Sequence, residues 1–183
     1  MGILTRRRPL RHALRLLVVL ASLAKVCVGQ GADEYEVKAA FLYNFTKFIE
    51  WPAATEPSPS FAICILGDDP FEAVIDRVAA GKTVNGRALQ VRRLKEPADA
   101  RQQCQVVFVG ASEKSRAAKL IETTRGTPVL TVGESREFVR MGGMLFLSTE
   151  TGHVSVVISD VATKAAGLKV SAKLMTLATI FKP

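Results

Sequence analysis

Residues 104–133 read CQVVFVGASEKSRAAKLIETTRGTPVLTVG. Two short apolar runs rich in β-branched residues, 104–110 and 127–133, flank a segment with helical spacing. Apolar runs of this length without alternation are the pattern of strands buried on both faces. Between them Ser112 stands where an N-cap is needed and Gly126 where a helix stops. Strand, helix and strand in succession argue an α/β domain whose sheet is largely parallel.

The same alternation extends outward. FAICILG (61–67) is a further buried strand, followed by DDPFEAVIDRVAAG (68–81). There Asp69 is expected as N-cap, Pro70 as the first helical residue, Glu72 as the closing residue of a capping box and Gly81 as the stop. KTVNGRALQVRRL (82–94) predicts two short strands about the turn Asn85-Gly86. PADARQ (97–102) predicts a short helix or turn. ESREFVRMGG (134–143) predicts a short helix, and MLFLSTETGHVSVVIS (144–159) a hairpin about Thr151-Gly152 at a sheet edge. DVATKAAGL (160–168) and SAKLMTLATIF (171–181) complete the chain as helices capped by Asp160 and Ser171. The predicted architecture is α/β: a three-layer sandwich with a central mixed, largely parallel sheet flanked by helices.

FLYNFTKFIEWP (41–52) is the most aromatic stretch of the chain. Over 34–50, Val37, Phe41, Phe45 and Phe48 recur at helical spacing, with Glu36, Asn44 and Lys47 opposite, so the stripe is expected to pack on the sheet. Trp51-Pro52 ends the helix, because a residue before proline leaves the helical region. Tyr43 and Trp51 lie off the stripe and are candidates for a surface role.

At the N-terminus, Arg6, Arg7, Arg8, Arg11 and Arg15 precede the apolar run LLVVLASLA (16–24) and a small-residue exit. This is the pattern of a secretory signal peptide, and its apolar run is far shorter than the roughly 20 residues that span a bilayer. Residues 1–29 are assigned to that signal, with cleavage after Gly29, and 30–183 to a single domain; cleavage after Ala32 and an uncleaved signal anchor are the other readings. The full chain carries 25 bases against 17 acids. Residues 1–29 hold six bases and no acids, so 19 bases face 17 acids in the remainder, a net charge of +2. That leaves no clustered basic face for nucleic acid. Cys27 leaves with the signal. Cys64 and Cys104 then form an even pair in an exported chain, which favours a disulfide; two buried free thiols is the other reading. Closing that loop of about 40 residues would be worth about 3–4 kcal/mol.

Three strand-to-helix loops offer a small-ligand site. Gly67 and Asp68, Gly110 and Ser112, and Gly133 and Ser135 should meet at the carboxyl edge of the sheet, where open α/β sheets bind ligands. Glycine followed by a cap is also simply how such turns are built. Asp68-Asp69 reads more readily as helix capping than as an acid/base or metal pair. One histidine, His153, remains beyond the signal, and no GxGxxG, phosphate-binding loop or GxSxG elbow is present. No catalytic residue, metal site or cofactor is assigned. For a protein partner, the hairpin residues Leu145, Phe146 and Val157 alternate in a way that exceeds the needs of one buried face; helices covering both faces would also explain them.

EYEVKAAFLYNFTKFIEWP, ICILGDDPF, GKTVNGRALQVRRL, CQVVFVG, GGM and AGLKVSAKLMTLA occur in that order. Together they resemble the YfiR family of periplasmic proteins over about residues 34–180. The resemblance implies a non-catalytic repressor that binds the periplasmic domain of an inner-membrane diguanylate cyclase, limiting cyclic-di-GMP and biofilm formation. It also implies a homodimeric α/β sandwich and a disulfide at Cys64 and Cys104. Two departures stand out. A second cysteine pair near 140–148 is missing, and HVSVVISDVATKAAGL replaces a more typical pattern in the hairpin-to-helix region.

Overall fold

The computed structural model describes residues 30–53, 58–150 and 153–182. The signal-peptide assignment and the tip of the hairpin, Thr151-Gly152, lie outside the described residues. Glu34–Pro183 forms one compact unit.

Eight strands make its main sheet: β2 (Ser60–Leu66), β3 (Thr83–Val84), β4 (Arg87–Leu94), β5 (Val106–Val109), β6 (Leu130–Gly133), β7 (Leu145–Glu150), β8 (His153–Ser159) and β10 (Thr179–Phe181). Their spatial order is β10-β8-β7-β6-β5-β2-β4-β3. The pairings β7–β8 and β3–β4 are antiparallel and the other five parallel. The strands β1 (Ile49–Glu50) and β9 (Lys169–Val170) pair separately, antiparallel. The helices are α1 (Gln30–Phe48), α2 (Val74–Ala79), α3 (Ala100–Gln103), α4 (Lys114–Thr124), α5 (Arg136–Arg140), α6 (Asp160–Ala165) and α7 (Ala172–Leu177). The expected α/β architecture, a mixed and mostly parallel sheet flanked by helices, is the one observed.

Side-chain alternation along the strands divides the core into layers. Ile63, Ile65, Phe108, Leu130, Val132, Leu145 and Leu147 point to the face covered by α1 and α2, with Leu174 of α7 in the same cluster. Cys64, Leu66, Val107 and Val109 point the other way, against Ala100 of α3, Ala117, Leu120 and Ile121 of α4 and Phe138 of α5. Helices therefore cover both faces, which is why β2 and β5 are buried at every position.

Several local expectations need correction. The helix 34–50 gives way at Ile49, where the chain turns extended to pair with Val170. The stripe of α1 that meets the sheet is Lys38-Ala39, Leu42, Phe45 and then Ile49; Val37 is 38% exposed, and Phe41 and Phe48 are half-buried. The capping box at 69–72 does not form. The Asp69 carboxylate instead accepts from the Phe71 N–H, Glu72 sits at φ 49°, and α2 starts only at Val74. A left-handed residue interrupts the helical turn, so the helix must begin after it. Ser112 does not cap α4, whose N-cap is Glu113, and Ser159 rather than Asp160 caps α6, accepting from the Ala162 N–H. Ser135 and Ser171 cap α5 and α7 as expected. The final segment is a short helix followed by a strand. The run Thr179–Phe181 adds β10 beside β8, so the hairpin itself is not the edge.

Asn85-Gly86 makes the predicted turn, with φ of 51° and 77°, both in the left-handed region that a two-residue hairpin of this kind requires.

Candidate functional site

The carboxyl edge of the parallel strands collects the unusual chemistry of the molecule. The helices that follow β2 and β5 leave on opposite faces, α2 beside α1 and α4 on the far side. Strand order reverses between these two neighbours, and such a switch point is where α/β sheets open a crevice. Here the crevice is bridged by a side chain. Glu113 Oε1 accepts from the Asp68 N–H at 3.2 Å and from Arg116 Nη1 at 3.4 Å. Gly67 has φ 83°, a backbone that favours glycine, and a β-carbon there would lie 2.2 Å from that same oxygen and push the Glu113 side chain aside.

One strand further on, Glu134 follows β6 and its side chain is 8% exposed. Its Oε1 accepts from Lys38 Nζ at 2.5 Å, and its Oε2 accepts from the Ala111 N–H at 3.1 Å. Lys38, 4% exposed at its side chain, also binds Glu34 one turn earlier on α1. A buried ammonium and carboxylate are tolerable only when paired and hydrogen-bonded in this way. The Lys38 hydrogen bond holds the Glu34 carboxyl below its usual pKa despite some burial, with the nearby Thr149 hydroxyl assisting. Tyr35 stacks edge-on against Phe71 and lies under the Lys38 ammonium, 4.6 Å from its ring centroid. Burial first, then the neighbouring Glu134 and Glu34 carboxylates, push the Tyr35 phenol up to about 12.

Beside this cluster, on the α4–α5 side, is a cleft of ≈ 230 Å³. Its lining includes Gly110, Gly133 and Ser135 together with Lys114, Glu134, Phe138 and Met141. The structure thus brings three of the six proposed ligand residues into one cavity. Gly67 and Asp68 lie instead against Glu113, and Ser112 is exposed outside the lining. The Ser135 hydroxyl oxygen is engaged as the cap of α5, accepting from the Phe138 N–H at 3.2 Å. Gly133 and Gly143 both press on the Phe138 ring, with would-be β-carbons 2.4 and 2.3 Å away. Phe138 is therefore a fixed floor for the cleft.

The residues singled out for a partner are placed as follows. Leu145 is fully buried against the α1 face. Phe146 and Val157 are 3% and 7% exposed and pack with Val139 and Phe181. Tyr43 is half-buried beneath the Lys47 ammonium, 4.1 Å from its ring. Trp51 is half-buried, edge-on to Phe61 at 5.0 Å, with its indole N–H buried and without a hydrogen-bond partner among the described residues. Among the described residues, the large apolar side chains most exposed are Leu177 at 74% and Val161 at 63%. Cys64 and Cys104 form a disulfide across a Cα–Cα distance of 5.9 Å, buried between β2 and the end of α3.

Sequence reasoning missed Lys38, Glu134 and Tyr35. The signal was present: Lys38 lies on the same helical line as Leu42, Phe45 and Ile49, with Glu34 four residues before it. A lysine on an apolar stripe needs a buried acid, which is the role Glu134 fills.

The YfiR/HmsC-like family matches residues 35–179. The chain belongs to the YfiR/HmsC-like family. The matched span runs from Tyr35, at the buried cluster, to Thr179, the first residue of β10, and so includes all the remaining strands of the sheet in full. Among curated proteins none matches the chain. Among solved structures, a conserved domain protein from Vibrio cholerae is similar at 12% identity and a TM-score of 0.53, covering 81% of this chain and 60% of its own length. A domain from Streptococcus pneumoniae crystallised with L-Trp is similar at 10% identity and a TM-score of 0.49, over 82% of this chain and 62% of its own. The chain thus spans about 60% of the length of these structures. At such identity the Vibrio protein speaks for the fold alone.

Proposed function

We propose that this YfiR/HmsC-like protein is an exported, non-catalytic regulator. It is sent to the periplasm by the signal at residues 1–29, binds the periplasmic domain of an inner-membrane diguanylate cyclase and represses it, lowering cyclic-di-GMP and biofilm formation. The observation that carries this reading is the family match over residues 35–179. A disulfide-closed domain suits an oxidising compartment. With Leu145, Phe146 and Val157 packed inside the chain, partner contact would fall to Tyr43, Trp51 and neighbouring surface unless the hairpin rearranges. A homodimer belongs to the same reading. The test is purification of the tagged chain with the periplasmic segment of a membrane cyclase encoded beside its gene. A stable complex supports the reading, and failure to associate at micromolar concentrations opposes it.

A second reading is a periplasmic small-ligand module acting on a membrane sensor kinase. The specific observation in its favour is the cleft that unites Gly110, Gly133 and Ser135. A ligand-induced rise in melting temperature that persists without any partner would support it.

A further inference from the structure

We infer that the cleft between α4 and α5 takes a small organic cation, a primary amine on a compact apolar body. This rests on the second reading above and names the chemistry of its ligand.

Three observations carry the inference. The first is shape. The cleft measures ≈ 230 Å³, below the roughly 300–1,000 Å³ of drug-sized sites, so its occupant is smaller than a drug. Its floor is the Phe138 ring, held by Gly133 and Gly143, and Met141, 38% exposed, stands at the rim. An aromatic floor and a thioether favour an apolar body, and an aromatic face also attracts a cation.

The second is charge. The wall of the cleft is formed by Glu134, whose side chain is more than nine-tenths buried. In the cluster behind it two carboxylates, Glu34 and Glu134, share the single ammonium of Lys38. One negative charge is left over, shared between the buried Glu134 and Glu34, whose side chain is 36% exposed, and it attracts a cation. The Glu134 carboxylate accepts from Lys38 Nζ and the Ala111 N–H, with the Tyr35 hydroxyl a further donor, and of about four acceptor sites on a carboxylate one stays open. Glu137 adds a second carboxylate to the lining. The lining cation, Lys114, is exposed and sits on a flexible stem that can swing outward.

The third is the missing side chain at Gly110. Its backbone does not adopt a left-handed conformation, so glycine is not needed for the turn. A β-carbon there would stand 3.5 Å from Glu134 Oε2, in ordinary contact. The absence of a side chain keeps the flank of that carboxylate open.

The experiment is saturation-transfer NMR on the purified chain with three probes of similar size: phenethylamine, 2-phenylethanol and phenylacetate. The expected result is that the amine binds about tenfold or more tighter than the alcohol, that phenylacetate does not bind, and that salt weakens the amine. Gly110→Val, whose retained fold is checked by its melting curve, should reduce amine binding by a similar factor. Should Gly110→Val fail to fold, Glu137→Gln on the exposed rim should still weaken the amine several-fold. Equal binding of the amine and the alcohol, or preference for phenylacetate, overturns the cation assignment while leaving a small-ligand module standing. No binding of any probe overturns both. Amine binding indifferent to both substitutions overturns the placement in this cleft.

Discussion

Lys38 on α1 and Glu134 after β6, 96 residues apart in sequence, close a buried ion pair at 2.5 Å. The pair ties the first helix of the domain to the loop that starts α5, and through the Ala111 N–H to the loop that starts α4. Three segments remote in sequence thus meet at one carboxylate.

Removing one partner of such a pair leaves an uncompensated buried charge. Lys38→Met, which strands Glu134, is expected to destabilise the fold by about 3–5 kcal/mol, read as a shift in the urea midpoint, and Glu134→Leu by less, because Lys38 keeps its bond to Glu34. The double variant should recover most of that loss, because an apolar pair can replace a buried ion pair. Additive losses in the double variant would show that the two groups do not act on each other.

Tyr35 gives the cluster an alkaline signature. Its phenol is raised from the ordinary 10 to about 12 in the folded state. A raised folded value means that its contribution is fully present below the unfolded pKa and is lost as pH climbs from about 10 toward 12. Stability should fall across that window, and Tyr35→Phe should flatten the fall. Parallel pH profiles for the two proteins would contradict this. On the acid side, Glu34 and Asp76 are held below their usual range, chiefly by hydrogen bonds from Lys38 and Arg93 respectively. Their contributions are present above the unfolded carboxylate values near 4 and disappear as pH falls through the lowered ones.

The disulfide is predicted to be structural and shielded. Cys64 and Cys104 are 0% and 3% exposed. A thiol reductant should leave the bond intact in the native protein and cleave it once urea unfolds the chain. Cys64→Ser with Cys104→Ser should cost about 3–4 kcal/mol for a loop with a sequence separation of 40. Rapid native-state reduction, followed by thiol counting, would contradict the shielding.

Glu72 holds a left-handed conformation at φ 49° with an exposed side chain. Asn tolerates that region and β-branched residues do not. Glu72→Asn should be neutral or slightly stabilising, and Glu72→Val should cost about 1–2 kcal/mol in thermal unfolding.

Much of this fold is legible residue by residue. The runs at 61–67 and 104–110 are apolar at most positions, and 127–133 at its centre, because helices cover both faces of the sheet, and the pattern reports that directly. Asn85-Gly86 declares its turn through conformational requirements that few residues meet. What periodicity could not decide was competition between local and distant partners. TIF at 179–181 has a composition compatible with either state, and the free edge of β8 made it a strand. Ile49 left its helix for Val170 in the same way. The predicted capping box failed because one backbone angle, at Glu72, outweighed a favourable side-chain pattern. At the candidate site the glycines were visible as loop makers. The carboxylate they expose was not, since Glu134 gains its meaning only from Lys38 across the sheet edge.

Repression of a membrane cyclase from the periplasmic side should be visible in intracellular cyclic-di-GMP. Deleting the gene should raise the nucleotide several-fold. Restoring the chain with its export signal should return it to the starting level, and restoring residues 30–183 without a signal should not. An unchanged level on deletion, or equal rescue by the unexported chain, would contradict repression from the periplasm.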